Sequence, residues 1–132
     1  MRSVTICGSG RFKEEVKKFA NELRKLGVVV FAPYHHSGQK DWEKKGLEPA
    51  HQEFIALGLT HDHCLKIRMA DVVLIYNKDG YMGPSTTLEM GYALALGKPI
   101  YAFSDEDEEI CRRVLIRGIV KTPKQLLKYL HT

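Results

Sequence analysis

The sequence predicts an α/β fold built on a doubly wound parallel sheet of five strands with helices on both faces. Two observations carry this prediction. Short β-branched runs alternate with helix-like segments along the whole chain, and this order is typical of parallel α/β sheets. The runs are continuously apolar and do not alternate in polarity, which is typical of strands buried on both faces. We therefore expect a flavodoxin-like or Rossmann-like architecture.

Five strands are predicted along the chain, and the first half also contains three predicted helices. The five predicted strands cover positions 4–7, 28–32, 72–76, 100–103 and 119–120. Apolar residues at helical spacing predict a helix over 13–26, which Gly27 ends. A second helix is predicted from Pro49 to a stop at Gly58, and a third from Thr60 to Met69.

The second half alternates strands and helices in the same way. An apolar helix is predicted over 85–96, closed by Gly97. The acidic run 105–109 is expected to open a further helix, because negative charge is favourable at a helix N-terminus. Thr122 and Pro123 are expected to cap the last helix.

Length and charge narrow the possible functions. The chain has 132 residues and is 44% hydrophobic, so residues 1–132 are expected to form a single domain. The net charge is +4, and acidic residues interleave with the basic ones. Because no basic stripe is present, duplex nucleic acid is not an expected partner, whereas a small anionic ligand is compatible with the charge.

Cysteine usage and hydropathy predict a cytoplasmic protein. The three cysteines are odd in number, lie far apart and form no CxxC pair, so a disulfide framework is not expected. The longest stretch without a charged residue, 26–39, is too short to span a bilayer. The first residues lack the apolar core of a signal peptide. We therefore expect no membrane association.

Ligands of such sheets bind beyond the C-terminal ends of the strands, near the switch in strand order. Loops 8–12, 33–48, 77–84 and 104–106 are expected at that edge. The first turn of the helix that precedes the third strand also reaches it, which makes candidates of His61, Asp62 and His63. In contrast, Asp71 stands at the start of a strand and is expected to be structural.

Glu89 is the sharpest candidate for chemistry. It lies about one and a half turns into a helix whose other residues are mostly small and apolar. A carboxylate in such surroundings needs a partner or a chemical role. The alternative is a structural glutamate that is satisfied by backbone amides or by Ser85 and Thr86.

The turn Gly8 to Phe12 joins the first strand to the first helix, where backbone N–H groups and the helix dipole favour an anion. Arg11 adds a bidentate cation, so a phosphate group suits this turn better than a neutral hydroxyl. A dinucleotide fingerprint would need glycine at Lys13 and an acidic residue near Ala32. Neither is present, and no phosphate loop of the GxxxxGK[ST] type occurs, so no cofactor is expected.

The sequence also contains candidate metal ligands and candidate residues for stacking on a base. His35, His36, His61, His63 and Cys64 match no familiar zinc spacing, so no metal is expected, and a polar cleft explains them. Four aromatic residues lie on or near the functional edge, where they either pack or stack on a base. These are Tyr34, Trp42, Tyr76 and Tyr81.

Short motifs spread over nearly the whole chain resemble the nucleoside 2-deoxyribosyltransferase superfamily. They are Cys7-Gly8-Ser9, the run 70–73 (Ala-Asp-Val-Val), and the run 89–93 (Glu-Met-Gly-Tyr-Ala) followed by 97–99 (Gly-Lys-Pro). Residues 116–118 (Ile-Arg-Gly) resemble the 2'-deoxynucleoside 5'-phosphate N-hydrolase branch in particular.

The resemblance implies that the Glu89 carboxylate attacks the anomeric carbon of a nucleoside or nucleoside 5'-monophosphate while the base leaves. It also implies a general acid about two turns before the third strand, at Asp62 or His63. We expect substrate contacts from the strand-end loops and from the start of the Glu89 helix. These residues are Gly8, Ser9, Gly10, Arg11, Phe12, Asn77, Tyr81, Gly83, Ser85 and Thr86.

The sequence departs from relatives at two positions. Gly83 replaces a polar substrate contact, and Arg113 replaces a serine that relatives contribute from a neighbouring subunit. A homodimer is expected, and residues 33–60 are expected to form a lid or a dimer contact. Two other functions stay open. One is a nucleotide-binding module without catalysis, and the other is a phosphoribohydrolase of the cytokinin-producing type, which shares Cys-Gly-Ser and a Gly-Thr-x-x-Glu motif.

Overall fold

The structure, a computed structural model, describes residues 2–34 and 36–130. Five strands in these residues form one sheet: β1 Ser3–Gly8, β2 Val29–Phe31, β3 Val72–Tyr76, β4 Ile100–Ala102 and β5 Gly118–Ile119. Their order is β2-β1-β3-β4-β5, and every neighbouring pair is parallel. The predicted fold class is therefore confirmed, and the strand order switches direction between β1 and β3.

Helices cover both faces of the sheet. Those in the described residues are α1 Lys13–Lys25, α2 Gln39–Lys44, α3 Pro49–Met69, α4 Pro84–Ala95, α5 Ile110–Arg113 and α6 Pro123–Leu130. The pair α1 and α6 packs on one face, whereas α3 and α4 pack on the other. Within the part of the chain that the structure describes, none of these helices is long and apolar enough to cross a membrane.

The continuous apolar runs feed two separate cores because successive side chains of a strand point to opposite faces. In β1, Val4 and Ile6 pack with α1 and α6, while Cys7 points to the face covered by α3 and α4. In β3, Leu74 and Ile75 divide in the same way. Cys7 is thereby directed from the sheet toward α3 and α4.

Helix α3 corrects one prediction. Gly58 was expected to end a helix, but α3 runs unbroken from Pro49 to Met69. A glycine stop needs the left-handed conformation, which Gly27 adopts after α1 (φ 86°) and Gly58 does not. A single glycine costs a helix only about 1 kcal/mol relative to alanine, too little to end it.

The predictions for two acidic positions, the run 105–109 and Asp71, have different outcomes. The run 105–109 does not open a helix, because α5 begins only at Ile110. Asp107 instead accepts a hydrogen bond from the Glu109 backbone N–H and two from Arg112. Asp71 is structural, as predicted, because its carboxylate accepts hydrogen bonds from the backbone and hydroxyl of Ser3.

Candidate active site

A cavity of about 640 Å³ opens at the C-terminal end of β1, beside the switch point of the sheet. Its walls come from the turn after β1, from residues 33–34 and 36–42, from the middle of α3 and from the start of α4. The polar side chains that line it are Ser9, Lys13, His36, Gln39, Thr60, His63, Ser85, Thr86 and Glu89. Ligand sites of parallel α/β sheets lie at this position.

Glu89 and His63 meet at the inner end of this cavity. His63 is buried on α3, and its Nε2 atom lies 3.5 Å from Oε2 of Glu89. The same Nε2 atom lies 3.3 Å from Sγ of Cys7, at the end of β1. One side chain from each of three elements therefore converges on one point.

Burial shifts the protonation of all three groups. It raises the pKa of Glu89 from its ordinary value of 4.5 to about 7, because no cation compensates the buried charge. Burial, together with the charge of Lys66, lowers the pKa of His63 to about 4. Burial and the nearby Glu89 carboxylate raise the pKa of the Cys7 thiol. A carboxyl group poised near neutrality in a cleft is typical of a functional site.

The structure places the two residues proposed as the acid in different surroundings. His63 faces Glu89, whereas the half-exposed Asp62 lies one residue earlier and turns away. The Asp62 carboxylate pairs with Lys66 at 2.8 Å, and Lys66 also donates to the carbonyl of Ala32. Asp62 is not among the cavity residues, so its expected place in the site was wrong.

The turn after β1 reaches the cavity with its glycines but not with its aromatic ring. Gly8, Ser9 and Gly10 line the wall, whereas Phe12 is buried against Tyr76 in the core, and its expected substrate contact was wrong. The Ser9 hydroxyl accepts from the backbone N–H of Arg11 and starts a short 3-10 turn.

Two cations flank this turn. Arg11, expected as a substrate contact, is not among the cavity residues; its guanidinium lies 3.6 Å from the centre of the ring of Tyr81, which is part of the cavity wall. Lys13 lines the cavity itself, which the sequence reasoning missed. A signal was available in the sequence, because Lys13 directly follows the turn 8–12 and begins the helix that leaves the expected ligand edge.

The segment before α4 contributes Tyr81, Gly83, Ser85 and Thr86 to the wall, as predicted. Asn77 does not join them. Its buried amide donates to the carbonyl of Ser104 and accepts from the Ser104 backbone N–H. Asn77 therefore ties the ends of two neighbouring strands together, and its expected role as a substrate contact was wrong.

The outer wall is aromatic. Tyr34, His36 and Trp42 line the cavity, and the rings of His36 and Trp42 stack with their centres 5.0 Å apart. Trp42 lies on α2, a helix that the sequence reasoning did not predict within segment 33–48. His35, weighed earlier as a zinc ligand, lies outside the described residues.

Metal-binding donors occur in a different combination from the one considered in the sequence. Among residues 2–34 and 36–130, one group of His, Cys, Asp or Glu side chains is arranged to hold an ion: Cys7, His63 and Glu89. His36, His61 and Cys64 are not part of it. The spacing along the chain gave no signal, because the three donors come from separate elements.

The match to a family model identifies the class of this protein. Residues 6–125 match the model of the nucleoside 2-deoxyribosyltransferase family. The chain belongs to this family. This membership supports an enzymatic activity that cleaves or transfers the N-glycosidic bond of nucleosides. The match favours this class over the cytokinin-type phosphoribohydrolase. No curated protein sequence is similar enough to count as a relative.

Solved structures of low sequence identity share the fold. A 2-deoxyribosyltransferase from Bacillus psychrosaccharolyticus is 20% identical with a TM-score of 0.62, and the match covers 94% of this chain and 89% of that one. A CMP N-glycosidase from Clostridium botulinum is 18% identical with a TM-score of 0.57, and the match covers 98% of both chains. At this level of identity the likenesses show the shared α/β fold alone.

Proposed function

We propose that this protein cleaves or transfers the N-glycosidic bond of a nucleoside or nucleoside 5'-monophosphate, with Glu89 as the nucleophile. One observation carries the proposal. Glu89 is a largely buried carboxylate without a cationic partner, and it faces the cavity at the switch point of the sheet. The alternative, a structural glutamate held by Ser85 and Thr86, finds no support, because no hydrogen bond joins these described side chains.

The proposed reaction proceeds by displacement at the anomeric carbon. A carboxylate oxygen of Glu89 forms a bond to C1' while the bond from C1' to the base nitrogen breaks, and its electron pair leaves with the base. The transition state resembles an oxocarbenium ion, which a carboxylate stabilises. Water or a second base then attacks C1' and releases Glu89, so the acceptor decides between hydrolysis and transfer.

His63 is proposed to supply the proton that the leaving base needs. Between about pH 4 and pH 7 the pair of Glu89 and His63 holds one proton, mainly on Glu89, because the pKa of Glu89 is about 7 and that of His63 is about 4. When this proton lies on His63, Glu89 is ionised, so nucleophile and acid are ready together. The 3.5 Å approach of the two groups makes this exchange direct.

The residues of the cavity wall suggest where the 5'-phosphate and the base of the substrate bind. Gly8, Ser9, Gly10 and Lys13 form a wall suited to a 5'-phosphate, since glycines allow close approach of the backbone and Lys13 supplies positive charge. Arg11, stacked on the cavity residue Tyr81, adds a second cation nearby.

The base is assigned to the opposite side, where the stacked rings of His36 and Trp42 offer an aromatic surface. Tyr34 is mostly exposed and lies on the same wall. An aromatic wall accepts any base by stacking, so this surface supports a nucleobase without selecting one.

The homodimer proposal rests on the first half of α3. This half is apolar on most sides yet exposed, as Phe54 (74% exposed) and Leu57 (56%) illustrate. A helix that is apolar all round is normally buried. Leu88 of the adjacent α4 is also exposed, so a second copy is proposed to cover this face beside the cavity wall. Substituting Phe54 and Leu57 by glutamate is expected to yield monomers in light scattering, whereas dimers that persist would contradict this surface.

A panel of nucleosides and their 5'-monophosphates tests the activity. Each is incubated with the protein, with and without a second free base, and the released base is measured. Release without an acceptor indicates a hydrolase, whereas exchange only with an acceptor indicates a transferase. Tight binding without release in any reaction would contradict catalysis and favour a nucleotide-binding module.

The phosphate assignment has its own test. Arg11→Ala and Lys13→Ala are each expected to weaken binding of a 5'-monophosphate by about 1.5 to 3 kcal/mol, the range for a hydrogen bond to a charged group. The matching nucleoside should bind both variants as it binds the wild type. Equal losses for nucleoside and monophosphate, measured by calorimetry, would remove the phosphate from this wall.

A further inference from the structure

Three metal-binding donors meet behind the floor of the cavity. Sγ of Cys7, Nε2 of His63 and a carboxylate oxygen of Glu89 all lie within 4.8 Å of one another. The cysteine comes from the end of β1, the histidine from α3 and the glutamate from α4. Each element is anchored in the apolar core, so the convergence is built into the packing of the fold.

Two of the three separations match those around a tetrahedral zinc ion. With zinc–sulfur bonds of about 2.3 Å and zinc–nitrogen or zinc–oxygen bonds of about 2.0 to 2.1 Å, tetrahedral angles place the sulfur about 3.5 Å from the nitrogen and the nitrogen about 3.4 Å from the oxygen. The observed distances are 3.3 Å from Cys7 to His63 and 3.5 Å from His63 to Glu89. A zinc ion bound to all three atoms also places the sulfur about 3.5 Å from the oxygen, and these two atoms lie within 4.8 Å of each other.

The chemistry of the donors selects the ion. Thiolate and imidazole are preferred by Zn²⁺, whereas Mg²⁺ and Ca²⁺ prefer oxygen ligands alone. Three protein ligands leave the fourth tetrahedral position vacant for another donor. His63 and Glu89 both line the cavity, so that position faces the space where a substrate enters.

We propose that Cys7, His63 and Glu89 bind one Zn²⁺ ion, and that this ion and the glycosyl substrate exclude each other. Zinc ligation uses the oxygen lone pairs that the nucleophile needs, so the ion switches the site off. The inhibitory consequence rests on the proposed function, whereas the binding of zinc does not. Removal of the ion by a chelator restores the free carboxylate.

Zinc binding is measured first, without substrate. The protein is stripped with a chelator and titrated with Zn²⁺ against a chromogenic competitor, and Co²⁺ is used as a spectroscopic probe. One ion per chain is expected, with a sulfur-to-cobalt charge-transfer band from Cys7. Glu89→Gln, His63→Asn and Cys7→Ser are each expected to weaken binding by about 100-fold or more, since even outer-shell partners are worth 10- to 100-fold.

Matched variants separate this site from the surface. Cys111→Ser and His61→Asn remove an exposed cysteine and an exposed histidine, and both are expected to bind zinc as the wild type does. Circular dichroism checks the folding of Cys7→Ser, and Glu89→Gln tests the site even if that variant unfolds. Absence of binding, equal affinity in all variants, or a loss confined to the surface variants would overturn the zinc site.

Activity is measured second, so that the two proposals fail separately. Zinc is expected to lower base release by the wild type, and excess chelator is expected to restore it. If the protein binds zinc but releases no base after the metal has been removed, the proposed function alone is contradicted. Base release that is unaffected by saturating zinc would overturn the competition between ion and substrate.

Discussion

Two buried carboxylates in this protein have opposite surroundings. Asp107 is almost fully buried between β4 and α5, and its two oxygens accept hydrogen bonds from Arg112 at 2.7 Å. Burial alone would raise the pKa of Asp107, but the hydrogen bonds and charge of Arg112 outweigh it and lower that pKa. Glu89, at the floor of the cavity, has a neutral histidine beside it and no cation, so burial raises its pKa to about 7.

The difference separates a carboxylate that has a cationic partner from one that has none. The bidentate pair of Asp107 and Arg112 uses the carboxylate to fix a loop, and Arg112 extends the link to Thr87 on α4. Glu89 holds its carboxylate next to open space at a cost in free energy, because a buried charge without a partner is unfavourable. We infer that the fold tolerates this cost because the carboxylate serves the site.

The largest expected effect is on turnover. Glu89→Gln keeps the side-chain volume and removes the nucleophile, so turnover should fall by at least about 100-fold. Base release by the purified variant measures this loss. Glu53→Gln, which alters an exposed glutamate of α3, should release base at the wild-type rate. A folded Glu89→Gln protein with full turnover would sink the nucleophile assignment.

The second effect falls on stability at the other carboxylate. Arg112→Met leaves Asp107 buried without its cation and should lower the free energy of unfolding by about 3 kcal/mol. Denaturant titration measures this change. The folded fraction should keep its turnover, because Arg112 does not line the cavity. Unchanged stability would show that Arg112 does not stabilise the buried carboxylate of Asp107.

The third effect links Glu89 to stability through pH. The folded protein holds the Glu89 proton more tightly than the unfolded chain, whose pKa is near 4.5. The Glu89 contribution to stability is therefore present below pH 4.5 and is lost as the pH rises to about 7. Glu89→Gln removes this dependence, so above pH 7 the variant should exceed the wild type by about 2 kcal/mol. Parallel stability curves for the two proteins would contradict the raised pKa.

The fourth effect is on the pH profile of kcat/KM. If His63 protonates the base, the pair must hold one proton, so the wild-type rate should fall above the pKa of about 7 and below that of about 4. His63→Ala leaves Glu89 alone, and its rate should rise through the Glu89 pKa instead. The loss should be largest for bases that leave poorly. A wild-type rate that rises through pH 7 would remove His63 as the acid.

The parallel sheet could be predicted from the sequence, because strands buried on both faces leave continuous β-branched runs such as 72–76. The sequence was also sufficient to predict that Glu89 lies at the candidate site, since a carboxylate among small apolar residues stands out in any helix, whereas its role as the nucleophile stays a prediction. Gly58 was misjudged because its effect depends on the backbone conformation, which the neighbouring turns of α3 decide.

Residues that depend on contacts across the fold were beyond the sequence. Asn77 occupies the expected edge, but its amide is used by Ser104, which lies 27 residues further along the chain. The choice between Asp62 and His63 required the phase of α3 relative to α4. Cys7 was read only as part of a motif, because its contact with His63 joins residues 56 positions apart.

The covalent intermediate tests the central claim most directly. The protein is mixed with a 2'-deoxynucleoside 5'-monophosphate that it cleaves, quenched in acid, digested and analysed by mass spectrometry. The account predicts a deoxyribosyl 5-phosphate adduct on the peptide that contains Glu89, and no adduct in Glu89→Gln. An adduct on another residue, or cleavage with inversion at C1' and no adduct at all, would contradict Glu89 as the nucleophile.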